Sequence, residues 1–198
     1  MLLPFSAVPT GAGIAAHSQS LQPSRPKEKP PYALTPRRRA LLATIRYAEG
    51  TWTGGRSDGY RLLYGGGRFM SLARHPEITV HKRYSSAAAG AYQFLPGTWR
   101  IAATKLGLRD FGPSNQDMAA LFLVEQRGVL RKLDRQGLCG VVLDRLAREW
   151  ASLPNHAGRS HYGQPVKTRA ALQAFYASRL QLELNLAAEH RAASPIAG

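Results

Sequence analysis

Between Thr51 and Gly90 the chain stops patterning like a helix, and that interruption limits what it can fold into. Gly54, Gly55, Gly59, Gly65, Gly66 and Gly67 cut the stretch into short runs, among them 60–64 and 68–70. Glycine enters left-handed backbone without steric cost, so this punctuation signals tight turns. The runs between the turns predict short strands in a small antiparallel sheet or hairpin. Helical spacing of apolar residues holds on both sides. Before the interruption, Thr35 and Pro36 supply an N-cap and a first helical residue. Leu41, Leu42, Ile45 and Ala48 follow, and Gly50 fits the position just past a helix end.

After the interruption, Ala91-Tyr92-Gln93-Phe94 begins the return to helix. A helix over 96–106 carries Trp99, Ile101, Ala102 and Leu106, with Gly107 to close it. Ser114 and Asp117 have N-cap spacing ahead of Met118, Leu121, Phe122 and Val124. Further helices are predicted over 141–150 and 166–180, separated by a loop over 153–164. The architecture this predicts is α+β: a mostly helical domain whose small antiparallel sheet or hairpin forms one side of a cleft. Its boundaries fall at 36 and 182. Residues 1–35 carry six prolines and read as a flexible extension, and 183–198 as a C-terminal tail.

Charge narrows the partners. The 198 residues hold 27 Lys and Arg against 12 Asp and Glu, a formal +15. Such an excess draws a protein toward polyanions. The cations are scattered, apart from Arg37-Arg38-Arg39. With no finger spacing, basic zipper or aromatic–basic interleaving, an anionic bacterial envelope is favoured over a specific nucleic acid. One cysteine, Cys139, excludes an internal disulfide, and its apolar setting predicts packing rather than chemistry. No run is apolar enough to span a bilayer. Residues 1–16 are mildly apolar without a basic start, a weak match to a secretory signal, so the export route stays open. The six histidines show no ligand pairing, and no phosphate or dinucleotide loop occurs. No metal and no cofactor is expected.

Glu49 is the outstanding candidate for chemistry. It ends the first helix, where the backbone dipole is negative and disfavours a carboxylate. Partial burial raises its pKa in the same direction. A carboxyl held protonated near neutrality is what glycoside cleavage needs. Asp58, nine residues on, is the rival second carboxylate. It more simply shapes the turn before Gly59.

A series of segments occurs in order: Tyr47-Ala48-Glu49-Gly50-Thr51, Asp58-Gly59-Tyr60, Gly65-Gly66, His75-Pro76 and Ala89-Gly90-Ala91-Tyr92-Gln93-Phe94. Leu106 to Asp117, Trp150-Ala151-Ser152-Leu153-Pro154 and Tyr162-Gly163-Gln164 complete it. This series resembles the phage lambda lysozyme (endolysin) family of lysozyme-like lytic transglycosylases, from about 37 to 180. The resemblance implies cleavage of the β-1,4 bond between N-acetylmuramic acid and N-acetylglucosamine in peptidoglycan. It implies 1,6-anhydro ends, action at the cell wall in the periplasm, and Glu49 as the catalytic acid. It suits a monomer. The family carries His where this chain has Asp58, which argues against a carboxylate role there. The loop from Thr51 to Asp58 is also shorter here, which bears on the cleft roof.

Tyr92 and Gln93, in the Gly-rich segment, are candidates for lining the saccharide cleft. Tyr60, His75 and Tyr162 join them as substrate-binding candidates, since aromatic and amide groups match a sugar's apolar face and polar edge. Trp99 and Trp150 fit the core. Trp52 stands on the loop after Glu49, where substrate contact and simple packing both fit. The alternatives are a hydrolytic lysozyme using Glu49 with Asp58, and a non-catalytic glycan- or nucleic-acid-binding protein.

Overall fold

The computed structural model describes residues 29–193, which hold six helices and one two-stranded sheet. The order is α1 (Pro36–Ala48), β1 (Val80–His81), β2 (Ser85–Ser86), α2 (Pro96–Leu106), α3 (Pro113–Gln126), α4 (Leu130–Gln136), α5 (Gly140–Leu146) and α6 (Arg169–Ala193). The strands pair antiparallel, Val80 opposite Ser86 and His81 opposite Ser85. Most of the proline-rich extension, 1–28, lies outside the described residues. Its last part does not hang free: Tyr32 is buried and its hydroxyl donates to Glu125 Oε2 at 2.5 Å.

Thr35 caps α1, its Oγ1 accepting from the Arg38 amide at 3.4 Å, with Pro36 next in line. Every residue from Ala40 to Arg46 is buried, which an amphipathic surface helix would not allow. The reason is that α1 packs against α3, α4 and α6. Ala119, Ala120, Leu121 and Val124 of α3 and Val142, Leu143 and Leu146 of α5 complete the core. Trp99 and Trp150 are both buried in it.

The region after α1 differs from the strands read from its sequence. Ser57–Arg61 and Tyr64–Gly66 are 3₁₀ turns. The ladder is reduced to isolated bridges, Leu62 with Arg68, Leu63 with Ala89 and Ala89 with Phe94. Close approach explains the glycines better than strand pairing does. A Cβ on Gly59 would collide with the Thr51 carbonyl. One on Gly90, at φ +81°, would collide with the Gln116 amide. The 91–94 segment likewise closes a bridged turn, with Gln93 left-handed at φ 48°, and helix resumes only at Pro96.

Three further differences concern helices. Gly112, not Ser114, precedes α3, and Asp117 points inward to two tyrosines instead of serving a cap. α4 buries only Leu130 and Leu133, too few apolar positions to show a period. α6 runs unbroken through residue 182 to Ala193, because Glu183 is held by Arg39 at 2.8 Å and Arg179 at 3.2 Å.

Candidate active site

Glu49 is the C-cap of α1, its amide donating to the Ile45 carbonyl at 2.9 Å. Gly50 follows at φ 73° and turns the chain away. The side chain therefore leaves the helix at its negative end and enters a groove of about 760 Å³. One wall carries Tyr64, Tyr84 and Ser85 from the turn-and-sheet region. The other carries Trp150, Ser152 and Tyr162 from the end of α5 and the loop beyond. Gln93 and Leu95 line the same groove.

The Glu49 carboxyl is half-buried, and Ser152 Oγ donates to its Oε1 at 2.6 Å. Burial pushes its pKa up to about 7, and the Ser152 hydrogen bond opposes that rise. A carboxyl at that value is about half protonated at neutral pH, so it can both give and take a proton there.

The tight turn 90–93 brings Gln93 to the same groove, and its supports are buried. Gln116 is fully buried. Its amide oxygen accepts from the Ala91 amide at 2.8 Å, while its nitrogen donates to Tyr60 O at 3.1 Å and Phe111 O at 2.7 Å. Thr51 Oγ1 donates to Ala91 O at 2.5 Å, and Trp150 Nε1 to Tyr92 O at 3.2 Å. These contacts fix where Gln93 sits. Its own amide donates to Gly90 O at 3.0 Å and Leu62 O at 3.3 Å.

The structure thus brings Glu49, Gln93 and Tyr162 to one groove and separates the other candidates from it. Tyr162 is exposed, its hydroxyl donating to Arg148 O at 2.8 Å. Tyr92 is 1% exposed, and its hydroxyl turns away to Asp117 at 2.6 Å, so it is a core residue. Tyr60 is buried beside it, donating to the same Asp117 oxygen at 2.8 Å. His75 is buried as well, with Nε2 on Phe94 O at 2.8 Å and Nδ1 accepting from the Glu77 amide at 3.1 Å. Burial lowers its pKa and keeps it neutral. Trp52 packs edge-on to Phe175 and between the guanidinium groups of Arg46 and Arg179, away from the groove. Asp58 also lies off the groove, paired with Arg56 at 3.4 Å and Arg68 at 3.7 Å. Cys139 is half-buried against the core.

A family model described as Endolysin matches residues 39–181. The endolysin of Escherichia phage lambda is 39% identical over 132 residues, 64% of this chain and 80% of that protein. The chain belongs to the endolysin family. The endolysin of Escherichia phage P2 is 40% identical over 103 residues, 48% of this chain and 59% of that protein. The solved lysozyme of bacteriophage lambda in complex with a chitohexasaccharide has a TM-score of 0.66 and 34% identity, over 75% of this chain and 96% of its own. A second structure of lambda lysozyme gives 0.62 and 30%, over 77% and 96%. This endolysin-family chain therefore has the lambda lysozyme fold.

Ser152, the residue that meets Glu49, does not stand out in the sequence, although it stands in the Trp150–Pro154 segment. The available signal was a lone hydroxyl between Trp150 and Leu153, both buried. Tyr64 and Tyr84 on the groove wall do not stand out either, since a glycine-broken segment has no period from which to infer facing.

Proposed function

We propose that this endolysin is a lytic transglycosylase in which Glu49 acts as the single acid and base. An endolysin-family chain with the lysozyme fold is a peptidoglycan-cleaving glycosidase. The finer reading concerns how it cleaves. One observation carries it: Glu49 is the groove carboxyl that has no cationic partner among the described residues. The groove's other carboxylate, Glu149, is tied to Arg127 at 2.6 Å, and Asp58 is off the groove between two arginines. A second carboxylate free to attack carbon or activate water is missing from the described groove residues, as a two-carboxylate glycosidase would require. The chitohexasaccharide bound by lambda lysozyme supports a glycan as occupant.

In this mechanism the glycan lies along the groove with its muramoyl–glucosaminyl bond at Glu49. The carboxyl gives its proton to the bridging oxygen as the bond from that oxygen to the muramoyl anomeric carbon breaks. The muramoyl C6 hydroxyl oxygen then bonds to the same carbon and releases its proton to the Glu49 carboxylate. The acid is restored, no water is consumed, and a 1,6-anhydro ring remains. Tethering makes the second nucleophile unnecessary, because an intramolecular hydroxyl has a high effective concentration. Ser152 supports both halves by fixing one carboxyl oxygen and leaving the other to face the substrate. Comparing Glu49→Gln with the wild type on purified peptidoglycan tests the assignment. Clearing at equal rates by both proteins would overturn it.

A further inference from the structure

The groove carries one charge that bond cleavage does not use. Its charged residues are Glu49, Arg127, Arg148 and Glu149. Arg127 and Glu149 neutralise one another, Nε and Nη2 donating to Glu149 Oε2 at 2.9 and 2.6 Å. Arg148 is exposed, and its guanidinium forms no hydrogen bond or ion pair with the described residues. Asp144, one turn earlier, interacts with it only through space and is engaged instead by His156. The His156 amide reaches Asp144 at 2.7 Å and the imidazole at 3.4 Å. The Arg148 backbone is nevertheless fixed. Its carbonyl accepts from Tyr162 Oη at 2.8 Å and Arg127 Nη2 at 3.4 Å. The backbone that carries this cation is thus held at the groove wall, four positions from Ser152, and no anion among the described residues pairs directly with its guanidinium.

The substrate supplies the complement. The sugars of a peptidoglycan strand are neutral, and its carboxylates sit on the lactyl-peptide substituent of the muramoyl residue. We propose that Arg148 reads that substituent, pairing with a stem-peptide carboxylate and making the groove prefer peptide-bearing strands. The inference rests on the groove being the glycan site. A solvated pair of this kind changes affinity roughly two- to fivefold. Its effect fades as salt shortens the Debye length.

The test uses the full chain on peptidoglycan strands whose stem carboxylates are either free or converted to primary amides, which removes charge at constant size. The wild type is expected to show a kcat/KM ratio, free over amidated, of about two to five at low salt. The ratio falls to about one in Arg148→Gln, survives in Arg148→Lys, and collapses in high salt. A ratio near one for the wild type, or one unchanged in Arg148→Gln, overturns the inference. Strands stripped of peptide keep only the lactyl carboxylate, and an equal Arg148-dependent preference there overturns the assignment to the stem. Binding of the same strands to Glu49→Gln, by calorimetry, separates this inference from the proposed chemistry. The charge preference persists there without turnover, and its absence counts against Arg148 whatever Glu49 does.

Discussion

Glu49 and Asp117 are two carboxyl groups that the fold shields from water, and it furnishes them in opposite ways. Asp117 lies on α3, outside the groove lining. Its Oδ1 accepts from both Tyr60 and Tyr92, and the Arg46 guanidinium, itself 5% exposed, lowers its pKa further. Burial still raises the Asp117 pKa, but three neighbours oppose the rise. That arrangement is a densely bonded network, the kind that specifies a core, although Arg46 Nε finds no hydrogen-bond partner in it. Glu49, one turn along α1 from Arg46, faces a groove and has one donor, Ser152. It sits where the helix dipole is least favourable to charge. Sparse hydrogen bonding leaves Glu49 able to exchange its proton, whereas dense bonding fixes Asp117 in a structural role.

The largest expected effect separates the two acids by activity. Glu49→Gln lowers turnover of peptidoglycan by about a thousandfold or more, the scale of a lost general acid. Asp117→Asn, once folded, stays within about tenfold of the wild type, since its side chain does not reach the groove. Comparable losses in both would erase the distinction.

Ser152→Ala is next, with turnover falling roughly tenfold as the carboxyl loses its anchor. Its pH profile sharpens the point. The Ser152 hydroxyl favours the charged carboxylate, so its removal raises the Glu49 pKa above about 7. Protonated Glu49 begins the reaction, so the alkaline limb of kcat against pH moves upward. Ser152→Thr, which keeps the donor, holds the limb in place. An unmoved limb in Ser152→Ala would mean that the contact is packing alone.

Stability provides a third contrast, with opposite signs. Glu49 has a folded pKa of about 7 against 4.5 when unperturbed, so the folded chain binds the extra proton between those values. Wild-type stability therefore falls as pH rises through that window. Glu49→Gln escapes this loss and is more stable by about 1–3 kcal/mol at pH 8, with no advantage at pH 4. Asp117→Asn brings an amide donor to the Arg46 side and is less stable by about 1–3 kcal/mol. Denaturant melts at the two pH values measure both. The smallest effect is that of Asp58→Asn, within about twofold in activity, because exposed ion pairs contribute little. A large loss there would return Asp58 to the mechanism.

The sequence was legible where local chemistry decides the outcome. The Thr35 cap, the Gly107 stop of α2 and the position of Glu49 at a helix end all follow from neighbours within a few residues. It was not legible where distant segments meet. Ser152 reaches Glu49 across 103 positions, and nothing near either residue announces it. Tyr60 and Tyr92 fit a sugar platform on residue type. Asp117 and Gln116 turn them and their backbone inward instead, which only the tertiary packing of α3 decides. The glycine-rich region was read as strands because turns and short apolar runs look alike in either case. The Gly59 and Gly90 contacts show that those glycines serve close approach.

The central claim is that Glu49 works without a second carboxylate, using the substrate's own hydroxyl. Mass spectrometry of the muropeptides released by the wild-type protein tests it most directly. Fragments ending in anhydro-muramoyl groups, lighter by one water than hydrolysis products, are the predicted result. Fragments carrying that water, with a free reducing end, would contradict it.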